Sequence, residues 1–194
     1  MNERLKKQVD FILELDKMKN LYRQTYVLHE NRKENDAEHS WHIAIMAFML
    51  AEYSNEPVDV FHVVKMLLLH DVVEIDAGDT YCYDKNGYKT KADREEKAAR
   101  RIFGLLPDDQ RDEYYALWRE FEDSETPEAR FAAVLDRMQP LFLNYTKNGI
   151  SWQEHEVYKE QVLERNRSYF SVSDEIADAI KAVINDAYDK GWLK

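Results

Sequence analysis

The segment VFHVVKMLLLHDVVEIDAGD, residues 60–79, decides the architecture. Val60, Phe61, Val63, Val64, Met66, Leu67, Leu68 and Leu69 place apolar side chains all round a helix, and a helix without a polar face belongs at the centre of a fold. The same segment then delivers His70, Asp71, Glu74, Asp76 and Asp79 in quick succession. Burying such groups unpaired costs several kcal/mol each, so they require a partner. Upstream, Glu38 to Asn55 repeats the pattern with Trp41, Ile43, Ala44, Ile45, Met46, Ala47, Phe48, Met49 and Leu50. The short Asn55–Pro57 turn between the two segments predicts an antiparallel pair of central, buried helices.

Outward from this pair, Leu5, Val9, Ile12 and Leu13 follow the three-and-four spacing of a helix with one buried face. Asn20 to Ala37 lacks apolar periodicity and reads as a loop. Thr80 to Thr90 carries Tyr81, Tyr83, Tyr88 and the turn signal Asn86-Gly87, which suits a surface loop over a pocket. Helices are expected over 91–104, 108–122 and 127–147, the last started by Thr126 as N-cap and Pro127 at the first helical position. Ser151 with Glu154 reads as a capping box opening a helix to about Ser168, and a final amphipathic helix spans Asp174 to Asp189. No stretch alternates at period two. The expected fold is all-α, one domain over residues 1–194.

Composition agrees. The chain has 194 residues, of which 44% are hydrophobic, with only five glycines and four prolines, too little turn punctuation for a sheet-rich fold. The longest apolar run, Ile43 to Ala51, is half the roughly 18 residues that span a bilayer, so no membrane association is expected. Lys and Arg number 27 against 38 Asp and Glu, and the net charge of −11 argues against a nonspecific grip on nucleic acid or anionic lipid. Cys82 is alone, and Met1 to Asp10 is charged without the apolar core of a signal peptide, so a cytoplasmic protein is expected.

Four residues stand out as metal ligands: His39, His70, Asp71 and Asp136. His39 opens one central helix and His70-Asp71 ends the other, so antiparallel packing brings them together. Asp136 lies mid-helix in FAAVLDRM, a poor place for an aspartate unless it is compensated; Asp112 and Asp123 are the other candidates for this last ligand. Two imidazoles and two carboxylates form a mixed nitrogen and oxygen set for one divalent ion, drawn from Mn, Co, Fe, Ni, Mg or Zn, with positions open for water or substrate. Glu74, one helical turn beyond His70, can act as general acid or base, and Asp79 can orient water or a sugar hydroxyl. His42 follows His39 by one turn and is an alternative or supporting ligand, whereas His29, His62 and His155 read as structural or surface residues. Arg23, Arg32 and Lys33, clustered before His39, read as phosphate partners.

The order His, His-Asp, distant Asp, carried in EHSWHIA and LLLHDVVEIDAGD, resembles the HD-domain metal-dependent phosphohydrolases, an all-helical superfamily. The resemblance is to its small single-domain branch, which includes 5'-deoxyribonucleotidases, and covers about residues 15–145; helices over 151–190 complete the unit. It implies His39, His70, Asp71 and Asp136 as ligands, Glu74 as catalytic acid or base, Asp79 as a water or substrate contact, and Arg23 of MKNLYR on the phosphate. It also implies a homodimer and a small phosphate ester, a nucleoside 5'-monophosphate, as substrate; a phosphodiesterase, a polyphosphate nucleotide hydrolase and a non-catalytic nucleotide-binding module are the alternatives. The chain departs from the nucleotidases after Arg23, where Gln24, Thr25 and Tyr26 stand in place of a tryptophan, and after Gly78-Asp79, where prolines are missing. Ile75 occupies the place where ppGpp hydrolases of the superfamily carry a second acid.

Overall fold

In the computed structural model, which describes residues 1–84 and 86–194, the first helix α1 (Glu3–Leu15) starts at a side-chain cap: Asn2 Oδ1 accepts the Leu5 N–H at 2.7 Å. Phe11 anchors α1 against Phe103 and Tyr114, with ring centroids 6.4 and 6.0 Å away. The stretch expected as loop instead folds into an antiparallel hairpin, β1 (Tyr22–Tyr26) and β2 (Lys33–Asn35). Tyr22 pairs with Asn35 and Tyr26 with Lys33, and the register shifts between them. Strands this short, interrupted by a register shift, leave no alternation to read.

A capping box ends the hairpin and begins α2 (Asp36–Leu50), two residues earlier than expected: Asn35 Oδ1 accepts from Glu38 N–H at 2.9 Å and Glu38 Oε2 from Asn35 N–H at 3.1 Å. A 3-10 turn, Ala51–Tyr53, lengthens the link to α3 (Val60–Leu69), which Asp59 caps by accepting from Phe61 and His62. The two helices pack side by side, with Ile43, Ala47, Val63, Met66 and Leu67 fully buried. They are central as expected, yet not enclosed all round. Trp41, Ile45, Phe48, Met49, Phe61 and Leu68 face outward, because α6 (Asp108–Asp123) and α7 (Pro127–Thr146) cover only one side of the pair.

After α3 the chain turns through a 3-10 segment, His70–Val73, and α4 (Glu74–Ala77) to Gly78, whose φ of 76° an L side chain rarely adopts. Helix α5 (Tyr88–Phe103) begins inside the expected loop, and α7 starts as its Thr126 cap predicts, the hydroxyl accepting from Ala129 N–H at 3.2 Å. The single helix expected from Ser151 is two: α8 (Ile150–Glu154) and α9 (Lys159–Arg167). The proposed capping box does not form, since Ser151 lies buried within α8; the break comes at Glu156, whose φ is 52°, and Gln161 Oε1 then accepts the Tyr158 N–H at 2.9 Å to restart the helix. Helix α10 (Asp174–Asp189) packs on α7 and α9. Among the described residues no helix is long and apolar enough to cross a membrane.

Candidate metal centre

Three helical segments converge on one point. His39 from α2 puts Nε2 3.1 Å from Asp136 Oδ1 of α7 and 4.0 Å from Asp71 Oδ2, while His70 Nε2 lies 3.1 Å from Asp71 Oδ1 and 3.7 Å from Asp136 Oδ1. Ligands held about 2.1 Å from a common ion stand about 3 Å apart when adjacent and about 4 Å when opposite. His39, His70 and Asp136 each offer an atom within 4.8 Å of the others, and Asp71 adjoins them, its Oδ1 facing His70 and its Oδ2 facing His39.

Hydrogen bonding sets both imidazoles for that role. His70 Nδ1 donates to the Leu67 carbonyl at 2.9 Å, which leaves Nε2 as the lone-pair nitrogen, buried and without a hydrogen-bond partner. His39 Nδ1 faces Gln139 Oε1 at 3.1 Å and Glu34 Oε2 at 3.6 Å, so its Nε2 is likewise directed at the carboxylates. Gln139 also donates to Glu34 Oε1 at 2.5 Å and to His42 Nδ1 at 3.2 Å, which joins His42 to the His39 network. Lone pairs aimed at carboxylates repel unless a cation stands between them. Burial alone would lower the His70 pKa, but Asp71 and Asp136 push it well above the usual value, and Asp136 is held well below the carboxylate range despite its burial. A proton there does electrostatically what a divalent ion does better.

Around this cluster sit the remaining expected groups. Glu74 is buried with Oε2 unpartnered, and burial, then Asp71 and Asp36, push its carboxyl well above the ordinary range. Asp79 lines the same cavity, its carboxyl raised by burial. Arg23, carried on β1, brings Nη1 to 2.6 Å from Asp71 Oδ2 and 3.4 Å from Asp36 Oδ1, with Nη2 3.8 Å from Asp136 Oδ1. Arg32 and Lys33 are not brought to the site. Arg32 makes a two-pronged pair with Glu38, both contacts 2.8 Å, and meets Glu30; Lys33 bonds the Gln24 side chain and stands over the Tyr26 ring. The hairpin turns Arg23 inward and carries the other two away, which corrects the expectation that all three hold phosphate. Asp112 and Asp123 pair with Arg111 and Arg119 on the surface of α6.

Asp36 is the residue sequence reasoning missed. It is fully buried in the first turn of α2, one turn before His39, and its Oδ2 has no partner. Asp36, Asp71 and Glu74 each offer an oxygen within 4.8 Å of the others. An aspartate three residues ahead of a candidate ligand histidine, entering an apolar helix, was the available signal. Burial, with Asp71 adding, pushes its carboxyl up to about 7. The folded chain thus holds this proton more tightly than the unfolded chain, so ionising Asp36 destabilises the metal-free fold progressively as pH rises from about 4 through 7. Asp36→Asn removes that penalty: in chelator, it is expected to raise the melting temperature more at pH 8 than at pH 5. Equal shifts at both values would contradict the assignment.

His70, Asp71 and Asp136 line a cavity of about 260 Å³. Tyr81, Tyr83 and Tyr88, from the segment expected to cover a pocket, line it together with Trp152; the Tyr81 and Tyr83 rings stand nearly perpendicular, 5.4 Å between centroids.

Comparison with known proteins places this geometry. The HD domain family profile matches residues 15–177. A crystal structure described as a predicted metal-dependent phosphohydrolase from Magnetospirillum magnetotacticum MS-1 is similar over 98% of this chain and 95% of that one, at 48% identity and a TM-score of 0.93. The human 5'-deoxynucleotidase HDDC2 is 33% identical over 108 residues, 56% of this chain and 52% of that protein, and the Bos taurus protein of the same name is 30% identical over 132 residues, 68% and 63%. The matched stretch spans about half the length of the human relative. An HD-domain phosphohydrolase from Listeria innocua, 17% identical with a TM-score of 0.69 over 96% of this chain and 92% of that one, shares the fold.

Proposed function

The chain belongs to the HD domain family, and from that premise we propose that it is a metal-dependent phosphomonoesterase that releases phosphate from nucleoside 5'-monophosphates, deoxynucleotides included. The observation that carries the proposal is His70: its Nδ1–H is committed to a backbone carbonyl and its buried Nε2 is aimed, unpartnered, at Asp71 and Asp136. His39, His70, Asp71 and Asp136 would hold a divalent ion, which when bound would supply Lewis-acid chemistry toward water and a phosphoryl oxygen. Glu74, its carboxyl raised well above the ordinary carboxylate range by burial and the neighbouring Asp71 and Asp36, moves the proton from attacking water to the departing alcohol. Asp79 orients the water or a sugar hydroxyl from the cavity wall. Arg23, beside Asp71 and Asp36, offsets phosphate charge at the cluster. The tyrosine wall offers stacking surface to a base. The names of the curated relatives support the nucleotide; the net charge of −11 supports a small substrate over a nucleic-acid polymer or a membrane surface. The lone Cys82 supports a reducing, cytoplasmic setting.

The test is phosphate release from a panel of nucleoside monophosphates, with Mn, Co or Mg and with chelator. Metal-dependent release of inorganic phosphate supports the reading. Full activity in chelator, or products other than phosphate from cyclic or polyphosphate substrates alone, overturns it.

We also propose a homodimer, joined through the outer face of α2 and α3. Phe48 and Phe61 meet edge to face at 6.0 Å there, and Phe61 and Met49 are 73% and 67% exposed, an apolar surface that a soluble protein ordinarily covers. Light scattering is expected to give twice the chain mass for the native protein and the monomer mass for Phe48→Asp. A native monomer at tens of micromolar would sink this assembly.

A further inference from the structure

Arginine in this acidic chain usually meets a carboxylate, as Arg4 does Asp109, Arg101 does Asp76 and Arg130 does Glu56. The cavity is different. Of its cations, Arg23 is taken by Asp71 and Asp36, and Lys91 by Glu95 at 2.7 Å. Arg137 and Arg165 line the same cavity and pair with no Asp or Glu among the described residues. Arg137, next to Asp136 on α7, donates to the Arg165 carbonyl and to the Tyr169 hydroxyl at 3.2 Å, and its guanidinium lies 4.0 Å over the Tyr169 ring. Arg165, on α9, reaches the Tyr88 hydroxyl at 3.4 Å and has no other side-chain hydrogen bond among the described residues. Both are half-buried. Two adjacent, partly desolvated like charges are unfavourable alone.

Their position adds direction. Arg137 and Arg165, with Cys82, Tyr83 and Tyr88, also line an outer groove, whereas none of His70, Asp71 or Asp136 does. The arginines therefore stand where the cavity opens into the groove, outward from the cluster. Glu160 and Glu164 also line the groove, yet neither they nor any other described carboxylate pairs with these two cations, which leaves the counter-charge to a ligand.

We propose that Arg137 and Arg165 form a second anion subsite, and that the preferred substrate is a phosphate monoester bearing a second phosphate, one group at the histidine–aspartate cluster and the other at the arginines. This rests on the phosphomonoesterase reading above. The reaction is unchanged: the P–O ester bond at the cluster breaks, water supplies the new P–O bond, and its proton passes to the departing alcohol; the second phosphate is held and not cleaved. Guanidinium forks suit phosphate through paired, charge-assisted hydrogen bonds.

The test compares deoxyadenosine 5'-monophosphate with deoxyadenosine 3',5'-bisphosphate. The native protein is expected to show a KM for the bisphosphate about tenfold lower, equivalent to about 1.4 kcal/mol of binding. Arg165→Gln should bring that ratio close to one, and Arg165→Lys should restore part of it. Equal KM values in the native protein, or a ratio unchanged in Arg165→Gln, overturn the proposal. If neither nucleotide is turned over, the phosphomonoesterase reading fails by itself, and calorimetric titration of metal-loaded Glu74→Gln with the two nucleotides still decides the subsite: tighter bisphosphate binding that is lost on adding Arg165→Gln supports it, and equal binding overturns it.

Discussion

His70→Ala and Asp71→Ala are expected to leave the purified protein nearly free of bound divalent metal and to reduce phosphate release by more than the roughly 10- to 100-fold that loss of an outer partner of a ligand costs. The reason is local. Removing the His70 imidazole deletes a buried nitrogen that has no hydrogen-bond partner among the described residues, and removing Asp71 deletes the carboxylate that both imidazoles and Arg23 face. Metal content by elemental analysis reads this independently of turnover. Thermal stability supplies a second measure: the native protein should gain melting temperature on adding Mn or Co, because an ion that binds only the folded state stabilises it, and the two variants should not. Native metal content in either variant would refute the ligand assignment even if activity were lost.

Glu74→Gln is expected to separate binding from chemistry. Glutamine keeps the size and hydrogen-bonding reach of the side chain but cannot exchange a proton, so kcat should fall by roughly 10²- to 10⁴-fold while metal content and KM change little. The native pH profile should carry a limb above the ordinary carboxylate range, since burial and the neighbouring Asp71 and Asp36 raise Glu74, and that limb should vanish in the variant. A loss of metal alongside activity would make Glu74 a ligand instead.

Much of this was legible in the chain. The apolar runs before His70 and around His39 announced two central helices, and ionisable residues at their ends could only be tolerated together. Asp136 stood out because a helix interior flanked by Phe131, Val134 and Leu135 does not accept a carboxylate without compensation. The hairpin at Tyr22–Asn35 was not legible, since two short strands with a register shift have no period. For the same reason Arg23, Arg32 and Lys33 looked alike, although strand pairing turns one inward and leaves Arg32 with Glu38 at the surface. The outer faces of α2 and α3 were misread as buried because composition reports how apolar a helix is and not what lies against it.

By itself, the sequence determined the helical class, the two central helices, the Thr126 cap of α7 and which histidines and aspartates are candidates for the cluster, because periodicity, capping and the cost of buried charge act over a few neighbouring residues or depend on residue type alone. Only the tertiary structure decided that Asp36 joins Asp71 and Glu74, that Gln139 joins His42 to His39, and that Arg137 and Arg165 meet at the cavity mouth paired with no described carboxylate. Those relations join residues up to about a hundred positions apart, and the pairing or isolation of a charge exists only once the chain has folded around it.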